Sequence, residues 1–127
     1  MNRFVALPFA ALMLASVQAS ALCLNISESF SGTIEPGEHG VANEPFQITG
    51  ANGCSNANID AMVSAGGAGR APQIYIDQQI GNSWKVVAGN SLSASASWLG
   101  ALGTYRVRLH NPDEVPKSYA GTVRYGR

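Results

Sequence analysis

The sequence predicts an all-β fold, an antiparallel β-sandwich closed by one disulfide. Three observations predict it. After residue 22 no segment keeps a helical period for three turns. Short runs of β-branched and aromatic residues alternate instead with turns built on Gly, Pro and Asn. These runs recur every 8–12 residues or so along a single domain-sized chain, which is the spacing of a sandwich.

Residues 1–21 read as an address. Arg3 is the only side-chain charge before Glu28, Phe4 to Leu14 is almost wholly apolar, and Ala19-Ser20-Ala21 supplies small residues for cleavage. That is the pattern of a secretory signal peptide, too short for a stable membrane anchor. Cleavage after Ala19 leaves Ser20 first, and cleavage after Ala21 leaves Leu22 first. Leu22 stands where a lipidated cysteine would need a small residue, so Cys23 is not read as a lipid anchor. The chain has two cysteines, Cys23 and Cys54. In an oxidising compartment they predict one disulfide, closing a loop whose chain-entropy contribution is on the order of 3–4 kcal/mol. Two buried thiols, or pairing between chains, are the alternatives.

Residues 22–127 then form one β-sandwich domain. Ser29 to Glu35 places Phe30 and Ile34 on one face, and Pro36-Gly37 turns the chain, with His39 in the turn. Pro45 to Thr49 offers Phe46 and Ile48, and Ile59 to Ser64 offers Ile59, Ala61 and Val63. Residues 65–69 are a glycine-rich loop. Gln73 to Asp77 sets Ile74 and Ile76 against Tyr75 and Asp77, and Gly81-Asn82 turns into a strand from Trp84 to Ala88. After Gly89-Asn90 comes a strand from Leu92 to Trp98, then a tight crossing over 99–103. In Thr104 to His110, Tyr105, Val107 and Leu109 point inward while Arg106, Arg108 and His110 point out. Ser118 to Arg124 alternates in the same way.

The order of these pieces resembles the pre-peptidase C-terminal domain family. Ser31-Gly32-Thr33-Ile34 before Pro36-Gly37-Glu38 is similar to that family's opening strand and turn. Ile74-Tyr75-Ile76-Asp77 is similar to its middle strand, and Gly103-Thr104-Tyr105-Arg106-Val107-Arg108-Leu109 followed by Tyr119 to Val123 to its last two. The resemblance spans about residues 29–125. It implies a jelly-roll-like sandwich and a non-catalytic module. Relatives follow secreted proteases, one on a collagenase binding collagen with calcium near its N-terminal edge; others are stand-alone periplasmic inhibitors of goose-type lysozyme. The disulfide is not part of the family pattern, and the acids a calcium site needs are sparse: Glu35 and Glu38 flank a turn.

Composition excludes several classes of function. Charged residues are only 13% of the chain, with 8 Lys+Arg against 8 Asp+Glu, so no basic excess exists to hold nucleic acid. No apolar run is long enough to span a membrane. His39 and His110 lack the clustered partners of a zinc site, and no cofactor motif is present. No Gly-x-Ser-x-Gly elbow occurs, and the one adjacent acid pair, Asp113-Glu114, diverges in a loop. A small hydrolase is the weakest of three readings. Charge is split along the chain: residues 22–69 hold five acids and no Lys or Arg, whereas residues 70–127 hold seven Lys+Arg against Asp77, Asp113 and Glu114. Pairing of the last two strands would gather Arg106, Arg108 and Arg124 into an outward basic patch beside Lys117, Asp113 and Glu114, suited to an acidic protein or glycan. A solvated sheet face, or pairing with the acidic half, is the plainer alternative. Trp84 and Tyr75 are the candidate sugar platform, though core packing is the favoured reading for both tryptophans, and Trp98 is expected to cap the core. The expected function is therefore a secreted or periplasmic non-catalytic binding module, such as an inhibitor of a hydrolase like lysozyme. Extracellular adhesion or carbohydrate binding is the alternative.

Overall fold

The structure, a computed structural model, describes residues 22–127; the expected leader over 1–21 lies outside the described residues. Nine strands follow one another: β1 (Asn25–Ile34), β2 (His39–Val41), β3 (Phe46–Ile48), β4 (Ala57–Ala65), β5 (Gln73–Ile80), β6 (Ser83–Asn90), β7 (Ser95–Gly100), β8 (Gly103–His110) and β9 (Lys117–Gly126). They form two antiparallel sheets. The first runs β1-β9-β4-β7 and the second β2-β8-β5-β6, with β3 also on β8. That order is a jelly roll in which β2 and β3 are two halves of one interrupted strand.

Alternation explains which faces meet. Ile59, Ala61 and Val63 of β4 and Val123 and Tyr125 of β9 point from the first sheet. Ile74 and Ile76 of β5 and Tyr105, Val107 and Leu109 of β8 point from the second, and all are buried. Phe46 stacks on Tyr125 across the layer, with centroids 4.1 Å apart. Gly121 is required by packing: a Cβ there would strike the Met62 carbonyl and the Phe30 ring. Trp98 packs against the core as expected, its Nε1 donating to the Tyr105 hydroxyl at 3.3 Å. Cys23 and Cys54 are bonded, with Cα atoms 4.6 Å apart. The bond fastens the start of β1 beside the end of β9, where Leu24 and Arg127 exchange backbone hydrogen bonds of 3.1 and 2.7 Å.

Three sequence expectations change. His39 lies in a strand, not in the turn: Gly37, at φ 73°, completes the turn and β2 begins two residues later. Strand β7 starts at Ser95, later than Leu92, because Asn90 Oδ1 accepts from the Leu92 N–H at 2.8 Å and Ser93 Oγ from Ser95 N–H at 3.2 Å, holding a turn. Most consequential, β8 and β9 do not pair. Asn111, fully buried, donates to Ile34 O at 3.1 Å and Val115 O at 2.8 Å, anchoring a loop that carries the chain from one sheet to the other.

Candidate functional site

The outer face of the second sheet collects the charged and aromatic side chains that alternation turns away from the core. Register decides which of them meet. Tyr75 is opposite Arg108 and Asp77 opposite Arg106. On the other flank of β5, Gln79 is opposite Trp84. Strand β2 sets His39 opposite His110 and Val41 opposite Arg108.

Asp77 is the centre of the face, its side chain only 2% exposed. Arg106 Nε and Arg108 Nε each donate to its Oδ2 at 2.9 Å, and Arg108 Nη2 reaches Oδ1 at 3.4 Å. A buried carboxylate without partners would carry a desolvation cost of several kcal/mol, and two guanidinium groups offset it. Each guanidinium also covers a ring. Arg106 lies 4.3 Å from the Trp84 centroid and Arg108 4.7 Å from that of Tyr75. Such contacts contribute about 0.5–1 kcal/mol at exposed sites and more where water is excluded.

Beside this cluster, the rings of His39 and His110 stack at 4.0 Å with a 13° tilt. Arg108 Nη1 is 2.7 Å from His39 Nδ1. A guanidinium can only donate, so His39 accepts at Nδ1 and carries its proton on Nε2. His110 Nδ1 lies 2.7 Å from Gln73 Oε1, an acceptor, and therefore donates. The Tyr75 hydroxyl donates to the same oxygen at 3.2 Å. The pKa of His39 is held below its ordinary value, first by desolvation, then by His110 and Arg108, with Asp77 opposing.

The structure thus brings Arg106, Arg108, Trp84 and Tyr75 together. It places Arg124 elsewhere, opposite Asp60 on the outer face of the first sheet. The expected patch of three arginines does not form, because β8 and β9 belong to sheets whose outer faces point in opposite directions. Lys117 and Asp113 are occupied with each other. Lys117 Nζ is 2.6 Å from Asp113 Oδ2 and donates to Arg70 O at 2.9 Å, and Arg70 Nη2 meets Asp113 Oδ1 at 3.3 Å. The Lys117 hydrogen bond leads in holding the Asp113 carboxyl below its ordinary pKa. Glu114 is exposed in the same loop. The plainer alternative of pairing with the acidic half is not what forms: every ion pair among the described residues joins partners within 70–127.

Asp77, His39 and His110 belong to this face although the sequence did not single them out as site residues. A signal for Asp77 was present. It is the only acid between Arg70 and Pro112, although only the structure shows that its strand lies beside the one carrying Arg106 and Arg108. The histidine pair depends on the register of β2, a three-residue strand with no pattern of its own.

The face presents charged and aromatic side chains held in place by Asp77. Among the described residues no hydroxyl or thiol is hydrogen-bonded to either imidazole, so no nucleophile–base pair is assembled. No group of three or more His, Cys, Asp or Glu among them could hold a metal ion. A surface concavity of about 820 Å³ lies on the opposite sheet, lined by residues that include Ser29, Ser31, Met62, Ser64, Ser95 and Thr122, and none of its lining residues is titratable.

No family model and no curated protein matches the chain. Solved structures do. The Yersinia pseudotuberculosis-derived mitogen superposes with a TM-score of 0.53 at 13% identity, covering 80% of this chain and 86% of that one. PliG of Aeromonas hydrophila, a periplasmic inhibitor of g-type lysozyme, gives 0.45 at 13% identity over 83% and 87% of the two chains. The pre-peptidase C-terminal domain of a Bacillus anthracis collagenase gives 0.43 at 17% identity over 81% and 90%. The mitogen's likeness is one of fold alone, and the other two scores, below one half, add nothing to it.

Proposed function

We propose that the protein is an extracytoplasmic, non-catalytic binding module that docks a protein partner through the outer face of its second sheet. One observation carries this reading. Buried Asp77 fixes Arg106 and Arg108, and through them Trp84 and Tyr75, before any partner arrives. Trp, Tyr and Arg are the residue types that dominate protein interfaces. Ordering them in advance avoids about 0.5–1.5 kcal/mol per side chain on binding. The shared carboxylate leaves the cluster of Arg106, Arg108 and Asp77 with a net charge of +1, so shape and ring contact outweigh long-range attraction. The leader expected over 1–21 and the Cys23–Cys54 bond support an oxidising compartment, periplasmic or secreted. A hydrolase such as lysozyme is the first partner class to test, because the motif order over 29–125 resembles a family that includes lysozyme inhibitors. Adhesion or glycan binding is the second reading, favoured by the placement of Trp84 and Tyr75 on one face.

The test is capture from periplasm and culture medium by the mature protein, with a lysozyme panel and a glycan array in parallel. Trp84→Ala is expected to weaken a captured protein partner by about thirtyfold, the scale of an interface hot spot, while Thr122→Ala on the opposite sheet leaves it unchanged. Loss of glycan retention alone in Trp84→Ala favours the second reading. A partner lost through Thr122→Ala and kept through Trp84→Ala overturns both.

A further inference from the structure

The stacked imidazoles sit at an edge of the second sheet, on one of its two three-residue strands. Strand β2 contributes only His39, Gly40 and Val41 to the β8 ladder, extended at its two ends by Ala42 N–H to Val107 O at 2.8 Å and Asn111 N–H to Glu38 O at 3.0 Å, with Gly37 N–H to Asn111 O at 2.8 Å beyond it. One of its two outward side chains is His39, and the stack on His110 fastens it to β8. The arrangement requires a neutral His39, because its Nδ1 accepts from a permanently charged guanidinium.

The charged groups around the pair are unbalanced. Strand β8 supplies Arg106 and Arg108, and β5 supplies Tyr75, the uncharged Gln73 and the single anion Asp77, which both arginines already share. Glu35 and Glu38 flank the turn before β2, and neither forms an ion pair with an imidazole among the described residues. A proton on His110 can enter at Nε2 without disturbing its bond to Gln73. A proton on His39 Nδ1 must displace Arg108, and it adds a third cation beside Arg106 and Arg108, which already share one carboxylate. Like charges at such separations repel, and the one counter-charge facing them, Asp77, is already shared by both arginines.

We propose that His39 and His110 form a proton-sensitive latch that fastens β2 to β8 when neutral and releases it in acid. Release frees one Arg108 nitrogen and opens the margin of the aromatic–arginine face, while the first sheet is untouched. The latch is a property of the protein alone; its effect on docking rests on the function proposed above.

Hydrogen exchange of the mature oxidised protein tests it. Protection factors, corrected for intrinsic rates, are compared at about pH 7.5 and about pH 5, on either side of the ordinary histidine pKa. In the parent, residues 38–42 are expected to lose protection about tenfold or more in acid, while residues 59–63 of β4 keep theirs. In His39→Gln, which accepts from Arg108 and cannot gain a proton, the acid loss over 38–42 is expected to vanish. Unchanged protection in the parent overturns the latch, and so does an equal acid loss in His39→Gln. Capture of a partner at both pH values reads the docking consequence separately. Capture that does not vary with pH, alongside a working latch, removes only that consequence.

Discussion

Replacing Asp77 with Asn removes one charge and almost no volume, so it isolates what the buried carboxylate contributes. Asp77 receives three guanidinium hydrogen bonds with its side chain 2% exposed. The amide keeps one acceptor and turns a donor toward groups that can only donate. Removing one partner of a buried ion pair costs about 3–5 kcal/mol when the survivor stays buried. Arg106 and Arg108 retain 22% and 16% exposure, so part of the stranded charge can turn to water. The expectation is therefore the lower end of that range, about 3 kcal/mol. In a domain of this size that corresponds to a fall in Tm of about 12 °C. Urea denaturation of the oxidised protein measures it, with an unchanged slope showing that the unfolded state is the same. Because the carboxylate is dry, the loss should persist in about 1 M salt, where exposed pairs are screened. Arg106→Gln should cost less, since Arg108 still holds Asp77 through two contacts. An Asp77→Asn loss below about 1 kcal/mol would refute the idea that this carboxylate organises the face, placing it among ordinary surface substitutions.

Two further outcomes follow from buried contacts. Cys54→Ser should lower stability by on the order of 3–4 kcal/mol in the same urea assay, and reduction of the parent should give a similar loss, because both free a loop with a sequence separation of 31. Tyr125 donates its hydroxyl to Glu28 at 2.7 Å, and its pKa is pushed up to about 12, by burial first and then by the Glu28 hydrogen bond and charge. A raised phenol pKa means that the folded state favours the protonated form; its contribution is complete below the ordinary pKa of about 10 and is lost as pH rises toward 12. In an alkaline titration followed by tyrosinate absorbance, Tyr125→Phe should remove one tyrosine's amplitude from the late part of the curve, near pH 12.

Strand identity was legible and strand partnership was not, for a physical reason. Alternation is a local property. It fixed Tyr105, Val107 and Leu109 as inward and Arg106 and Arg108 as outward, because a two-residue period needs only the strand itself. Which strand lies alongside is decided by closure of the whole sandwich. Chain neighbours β8 and β9 have only the 111–116 loop between them, the arrangement that most often gives a hairpin. Here buried Asn111 spends its side-chain donors on Ile34 O and Val115 O, and so anchors a crossover in place of a hairpin. That one anchor removes Arg124 from the face and leaves Arg106 and Arg108 with Asp77. The consequence reverses the electrostatic expectation. Seven cations in the second half of the sequence suggested a surface awaiting an anion, but the two that share a face already have theirs, 2.9 Å away. What the pair offers a partner is not unspent charge. It is two planar groups held still against two aromatic rings, and such rigidity is detected by a loss of affinity in Asp77→Asn, a residue buried too deeply to touch the partner itself.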